Sequence, residues 1–296
     1  MDLKGLGVAM ITPFKQDGTV DYKAIPGIVE NIVSGHADYI VLMGTTAEVV
    51  CLSEEEKKQI IRVVQEANQN KLPLVIGIGG NNTARVVKEI QKTDLSPFQA
   101  ILSVSPYYNK PTQQGIYHHY AAIANASPLP IIVYDVPSRT GSSVEVSTFV
   151  RLTEDFSNII AIKDASGALT KAQEIIKHCP KHIQLISGDD ALTLPMLLAG
   201  AVGTISVLGN ALPVPLVRMF QFVEDGNLNK AYELHYHLMD LIHLLFEEGN
   251  PVGIKALMVL MMMIMRSLLL LLVMVVFMWW GKARIWSRRL LVMIGG

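Results

Sequence analysis

The sequence predicts an α/β protein, a (β/α)₈ or TIM barrel with a C-terminal helical extension. Three observations carry that reading. Eight short apolar runs rich in Val and Ile alternate with eight helix-like segments. The runs are continuous rather than alternating, as strands buried on both faces require. Finally, the first run is not followed by G-x-G-x-x-G, which argues against the open doubly wound sheet.

The predicted strands are Gly7–Ile11, Tyr39–Met43, Leu74–Ile78, Ala100–Val104, Ile131–Tyr134, Ile159–Ile162, Gln184–Ile186 and Gly203–Val207. Helices are expected at Tyr22–Ser34, from Ser53 to about Asn68, and at Thr83–Lys92, Gln113–Ala126, Val146–Thr153, Thr170–His178, Ala191–Ala199 and Pro215–Asp225. Ser53 and Glu56 have the S-x-x-E spacing of a capping box, which fixes the start of the second helix. Two further helical patterns, Leu228–Glu248 and Val252 onward, exceed what a barrel needs. The chain of 296 residues is thus read as a barrel over 1–226 and a helical extension over 227–296.

Composition limits the function. A formal charge of −1 gives no electrostatic case for nucleic acid. Cys51 and Cys179 are too few for a disulfide framework, so a reducing, cytoplasmic setting is expected. The start, Met1-Asp2-Leu3-Lys4-Gly5, lacks the pattern of a secretion signal. None of the eight histidines has an acidic or cysteine partner at ligand spacing, so no metal is expected. Residues 258–296 form an atypical tail. Met258 to Trp280 is apolar apart from Arg266 and Ser267, and beyond Leu257 lie five basic residues and no acidic ones. The run is long enough to span a bilayer, which needs about 20 residues. A frameshifted end would produce the same abrupt change of composition, and membrane attachment is not expected.

In such a barrel the active site is built just after the strands. Five polar motifs fall there: Gly44-Thr45-Thr46-Ala47-Glu48, Ser105 to Pro111, Tyr134 to Gly141, Lys163-Asp164, and Ser187-Gly188-Asp189-Asp190. Lys163 continues a buried strand. Burying an ammonium is costly, so desolvation favours the neutral amine, which can attack a carbonyl and hold it as an iminium. The plainer reading is a lysine paired with Asp164 or another carboxylate. Arg139 could grip a carboxylate with its fork, or pair with a structural acid. Tyr134 and Tyr108 offer hydroxyls for proton transfer, although tyrosines at strand ends more often simply pack. Thr45 and Thr46, after a glycine, could hold a small carboxylate.

Together with Asn250-Pro251-Val252-Gly253-Ile254-Lys255, these motifs resemble the 4-hydroxy-tetrahydrodipicolinate synthase (dihydrodipicolinate synthase) family of the N-acetylneuraminate lyase superfamily, from about Leu3 to Leu257. The resemblance implies a lyase with no cofactor, in which pyruvate forms an imine on Lys163 and aspartate-4-semialdehyde is the second substrate. It implies that Tyr134, Thr45 and Tyr108 relay protons, with Tyr108 crossing a dimer interface. Thr46 would hold the pyruvate carboxylate, Arg139 the carboxylate of the aldehyde, and Gly188 and Ile205 would line the pocket with backbone carbonyls. The assembly implied is a homotetramer, a dimer of dimers. The alternatives are a related pyruvate-dependent aldolase acting on 2-keto-3-deoxy sugar acids or sialic acid, and a membrane-anchored barrel that binds without turnover. Sialic-acid lyases lack the Ser-Arg-Thr-Gly pattern that follows Tyr134 here. Departures from the family pattern are Asp135 in place of Asn, His36 in place of Gly, where a turn would be strained, and Glu54, Lys57 and Arg85 in place of the residues used in feedback inhibition by lysine. The pattern is also lost after Leu257.

Overall fold

The computed structural model describes residues 1–264. Eight parallel strands close into a barrel in sequence order: β1 (Gly5–Ala9), β2 (Tyr39–Leu42), β3 (Leu74–Gly77), β4 (Ala100–Val104), β5 (Ile131–Asp135), β6 (Ile159–Asp164), β7 (Gln184–Ser187) and β8 (Gly203–Ser206), with β8 pairing back to β1. Around them run α1 (Ile25–Ser34), α2 (Glu54–Asn68), α3 (Thr83–Lys92), α4 (Gln113–Ala126), the single turn α5 (Pro137–Thr140), α6 (Val146–Asp155), α7 (Leu169–His178), α8 (Thr193–Ala199) and α9 (Pro213–Glu224). The chain from Met1 to Ile254 is one compact unit, in which α10 (Leu228–Glu247) packs on α8 and α9. Residues 252–264 are helical.

Strand pleating explains the interior. Side chains at alternate positions point to opposite faces. Ala9, Tyr39, Val41, Val75, Ala100, Leu102, Ile132, Ala161, Ile186 and Ile205 form one buried cluster inside the barrel. Tyr134 joins it two residues after Ile132, and the same parity directs Lys163 inward two residues after Ala161. Residues of opposite parity, such as Ile40, Ile101, Val133 and Ile162, are equally buried and face the helices.

Several boundaries differ from the sequence reading for identifiable reasons. The first helix starts at Ile25, not Tyr22, because Pro26 occupies its first turn, where a missing N–H costs nothing. The expected helix over 191–199 divides into a 3₁₀ turn at Asp190–Leu192 and α8. The capping box forms as expected: Ser53 Oγ accepts from Glu56 N, and Ser53 N donates to Glu56 Oε2 at 2.8 Å. His36 does adopt a left-handed conformation, φ 60°, as its glycine-like position implied. No helix among the described residues is long and apolar enough to cross a membrane. The apolar tail from residue 265 onward lies outside the described residues.

Candidate active site

The site begins with register. β5 and β6 pair Ile131 with Ile159, then Ile132 with Ala161, so Ile160 is an extra residue on β6. This bulge sets Tyr134 opposite Lys163; in an unbroken register Tyr134 would oppose Ile162. Lys163 is 5% exposed, and its Nζ lies 4.5 Å from the centroid of the Tyr134 ring. Among the described residues no carboxylate pairs with that amine. Asp164, the partner considered from sequence, points to the helix side and accepts from Ser166 N at 3.0 Å. Burial raises its carboxyl above the usual range, opposed by Lys171 and by the hydrogen bonds of Ser166.

Gly188, just after β7, closes over the lysine. A Cβ placed there would lie 2.8 Å from Ala165 Cβ and 3.0 Å from Lys163 Cε. Its value is space, because any side chain would press on the reactive arm. Ile205, 1% exposed in β8, forms part of the barrel wall.

A second group joins three loops. Thr46, 2% exposed, sits in the 3₁₀ turn Thr45–Ala47, which Thr12 braces by donating from Oγ1 to Ala47 O at 2.8 Å. Asn250 Nδ2 donates to Thr46 Oγ1 at 2.9 Å, and Asn250 O accepts from Arg139 Nη2 at 3.0 Å. Because Asn250 fills an acceptor site on the hydroxyl, Thr46 keeps its O–H free to donate to an anion. Asn250 lies 204 residues from Thr46, and no local motif marks it as part of the site.

Arg139 stands on α5, a one-turn helix just after β5. Pro137 starts it with a preset φ. Gly141 ends it at φ 72°, a left-handed conformation that glycine adopts without strain. Thr140 Oγ1 donates to Ser142 O at 2.6 Å and fastens the exit.

Tyr108 stands apart. It is 86% exposed at φ 74°, and no hydrogen bond joins it to Thr45 or Tyr134 among the described residues. Within one chain, then, the structure brings together Lys163 and Tyr134, and separately Thr46, Asn250 and Arg139, but leaves Tyr108 outside. Met43 and Glu48 also hold positive φ, 56° and 53°, at the same mouth. Non-glycine residues persist in that conformation only when their surroundings enforce it.

Asp135, the departure noted beside Tyr134, is fully buried. Its charge is met by Lys171 of α7. Beneath the mouth between β7 and β8, buried Asp190 accepts from Val207 N at 3.0 Å and Leu208 N at 2.9 Å, and burial raises its carboxyl.

Comparison with known proteins gives one answer. The chain matches the Dihydrodipicolinate synthetase family over residues 2–273. It is 49% identical over 253 residues to the 4-hydroxy-tetrahydrodipicolinate synthase of Flavobacterium psychrophilum, covering 86% of each. Among solved structures it resembles the 4-hydroxy-tetrahydrodipicolinate synthase of Methylacidiphilum fumariolicum SolV with TM-score 0.84 and 36% identity, covering 88% of this chain and 86% of that one. It also resembles the dihydrodipicolinate synthase of Acinetobacter baumannii, solved in complex with pyruvate, with TM-score 0.82 and 36% identity over 86% of this chain and 87% of that one. A closed parallel barrel with a buried lysine opposite a tyrosine, together with a family match spanning most of the sequence, places this chain in the dihydrodipicolinate synthetase family.

Proposed function

We propose that this protein is a lyase that condenses pyruvate with aspartate-4-semialdehyde to 4-hydroxy-tetrahydrodipicolinate, with Lys163 as the covalent anchor. The observation that carries the reading is the buried amine of Lys163 facing the Tyr134 ring with no carboxylate partner among the described residues. An amine so placed can attack the pyruvate ketone and release water as the imine forms. The iminium acidifies the neighbouring methyl group, which gives up a proton to the relay based on Tyr134 and becomes an enamine, whose carbon attacks the aldehyde while the relay returns the proton to the new alkoxide. Tyr134, adjacent to Nζ, is the group assigned to proton transfer at that nitrogen. The amino group of the second substrate attacks the imine carbon, closes the ring and frees Lys163, so no further co-reactant is needed.

Thr46 is assigned to the pyruvate carboxylate and Arg139 to that of the aldehyde, supported by their link through Asn250. Gly188 and Ile205 are assigned to the pocket wall. Thr45 and Tyr108 complete the proton relay, with Tyr108 supplied by a second copy. The 86% exposure of Tyr108 supports that assignment, and a homotetramer in the cytoplasm is the setting proposed.

Initial rates with pyruvate and competing acceptors test the proposal. Aspartate-4-semialdehyde is expected to exceed glyceraldehyde-type acceptors by orders of magnitude in kcat/KM. The reverse order would assign the chain to sugar-acid chemistry instead.

A further inference from the structure

Behind Tyr134 and Lys163, on the helix side of the same strands, stand Asp135 and Asp164, paired in register across β5 and β6. Neither reaches solvent appreciably, at 0% and 3% exposure. Two buried carboxylates on neighbouring strands repel unless a cation serves both. Lys171 of α7, with a side chain 14% exposed, is that cation. Its Nζ donates to Asp135 Oδ2 and, at 2.8 Å, to Ser143 Oγ. Burial raises the Asp164 carboxyl, and the charge of Lys171 opposes that rise while Asp135 adds to it.

The ion pair grips both ends of one loop. The chain leaves β5 at Asp135, passes through α5 with Arg139, and returns at Ser143 and Val144. There Ser143 Oγ donates to Asp135 Oδ2 at 2.9 Å, and Val144 N donates to Asp135 Oδ1 at 3.0 Å. Gln113 of α4 fastens the same return from outside, donating to Ser143 O at 2.8 Å and accepting from Glu145 N at 3.0 Å.

We infer that Asp135 and Lys171 are positioning residues for the second substrate: their buried ion pair closes the loop that carries Arg139 and fixes its guanidinium over the mouth. The inference rests on the assignment of Arg139 under the proposed function. It differs from a purely structural role in what it spares. Lys163 sits on β6 itself, so capture of pyruvate does not depend on the loop. Recognition of the aldehyde does, and misplacing a positioning group by about 1 Å can cost on the order of 100-fold.

Removing Lys171 alone leaves two buried carboxylates without their cation, whereas removing the Asp135 charge as well restores balance. The test compares the unaltered full-length chain, Lys171→Met, and Lys171→Met with Asp135→Asn. The readouts are KM for each substrate and the rate of borohydride trapping with pyruvate alone. Lys171→Met is expected to raise the KM for aspartate-4-semialdehyde about tenfold or more, with trapping within about twofold of the unaltered chain. The double variant is expected to recover most of that KM, because the two changes are coupled. An unchanged aldehyde KM in folded Lys171→Met, even with lowered stability, overturns the inference. So does a double variant no better than the single. If Lys171→Met does not fold, Ser143→Ala, which removes the hydroxyl joining Lys171 to Asp135 at the return of the loop, must raise the same KM, and no rise overturns the inference. Failure of the proposed function itself would appear separately, as absence of condensation by the unaltered chain.

Discussion

Replacing Arg139 by alanine isolates the half of the reaction that depends on its guanidinium. In the structure Arg139 is exposed, and one nitrogen, Nη2, is engaged by Asn250 O at 3.0 Å. The remaining N–H groups are available to a substrate carboxylate. Hydrogen bonds between charged groups contribute about 1.5–3 kcal/mol. Exposure to solvent argues for the lower part of that range per bond, so a two-point grip is worth about 3 kcal/mol. At about 1.4 kcal/mol per decade, Arg139→Ala should lower kcat/KM for aspartate-4-semialdehyde on the order of 100-fold. Arg139→Lys keeps the charge but not the fork and should fall between. The assay is steady-state kinetics with each substrate varied, alongside borohydride trapping with pyruvate alone, which should continue at the original rate. A loss of less than about threefold, or trapping that falls in parallel with condensation, would refute the assignment.

Three further outcomes follow from the geometry. Gly188→Ala should leave the fold intact by circular dichroism but sharply slow pyruvate capture, since the new methyl would lie 3.0 Å from Lys163 Cε; normal trapping would show that the lysine arm can yield. His36→Gly should raise stability by about 0.5–1 kcal/mol in denaturant titration, because relief of a left-handed φ of 60° outweighs the entropy glycine adds to the unfolded chain; a loss of stability would contradict that balance. His119, 2% exposed with Nδ1 held 2.8 Å from Thr83 Oγ1, has its pKa pushed down by burial from 6.5 to about 4. Between those values the unfolded chain binds a proton that the folded one refuses. Stability from this residue is therefore complete above pH 6.5 and declines as pH falls toward 4, by at most about 3 kcal/mol. His119→Gln should remove that part of the slope, and an unaltered slope would show that other groups cause it.

Much of this architecture was legible because its signals are local. A buried parallel strand is a short continuous apolar run, and Ala100–Val104 was bounded correctly from that alone. The second helix was marked by Ser53 and Glu56, whose reciprocal bonds both form. Position after a strand was enough to nominate Lys163 and Arg139. What stayed hidden depends on contacts distant in sequence or on a single inserted residue. The Ile160 bulge leaves no compositional trace, yet it determines which residue faces Lys163. Asn250 and Lys171 act on partners 204 and 36 residues away, so their roles required the folded chain. A four-residue helix such as α5 is too short to show a helical period and reads as a turn. Tyr108, implied by the resemblance to act across a dimer interface, faces solvent in a single chain.

Reductive trapping reports on the Lys163 amine itself. Full-length protein is incubated with pyruvate, reduced with borohydride, digested and mapped by mass spectrometry. One reduced pyruvate adduct is expected, on the peptide carrying Lys163, and none in Lys163→Ala. An intact mass unchanged by the treatment, or an adduct on a different lysine, would contradict it.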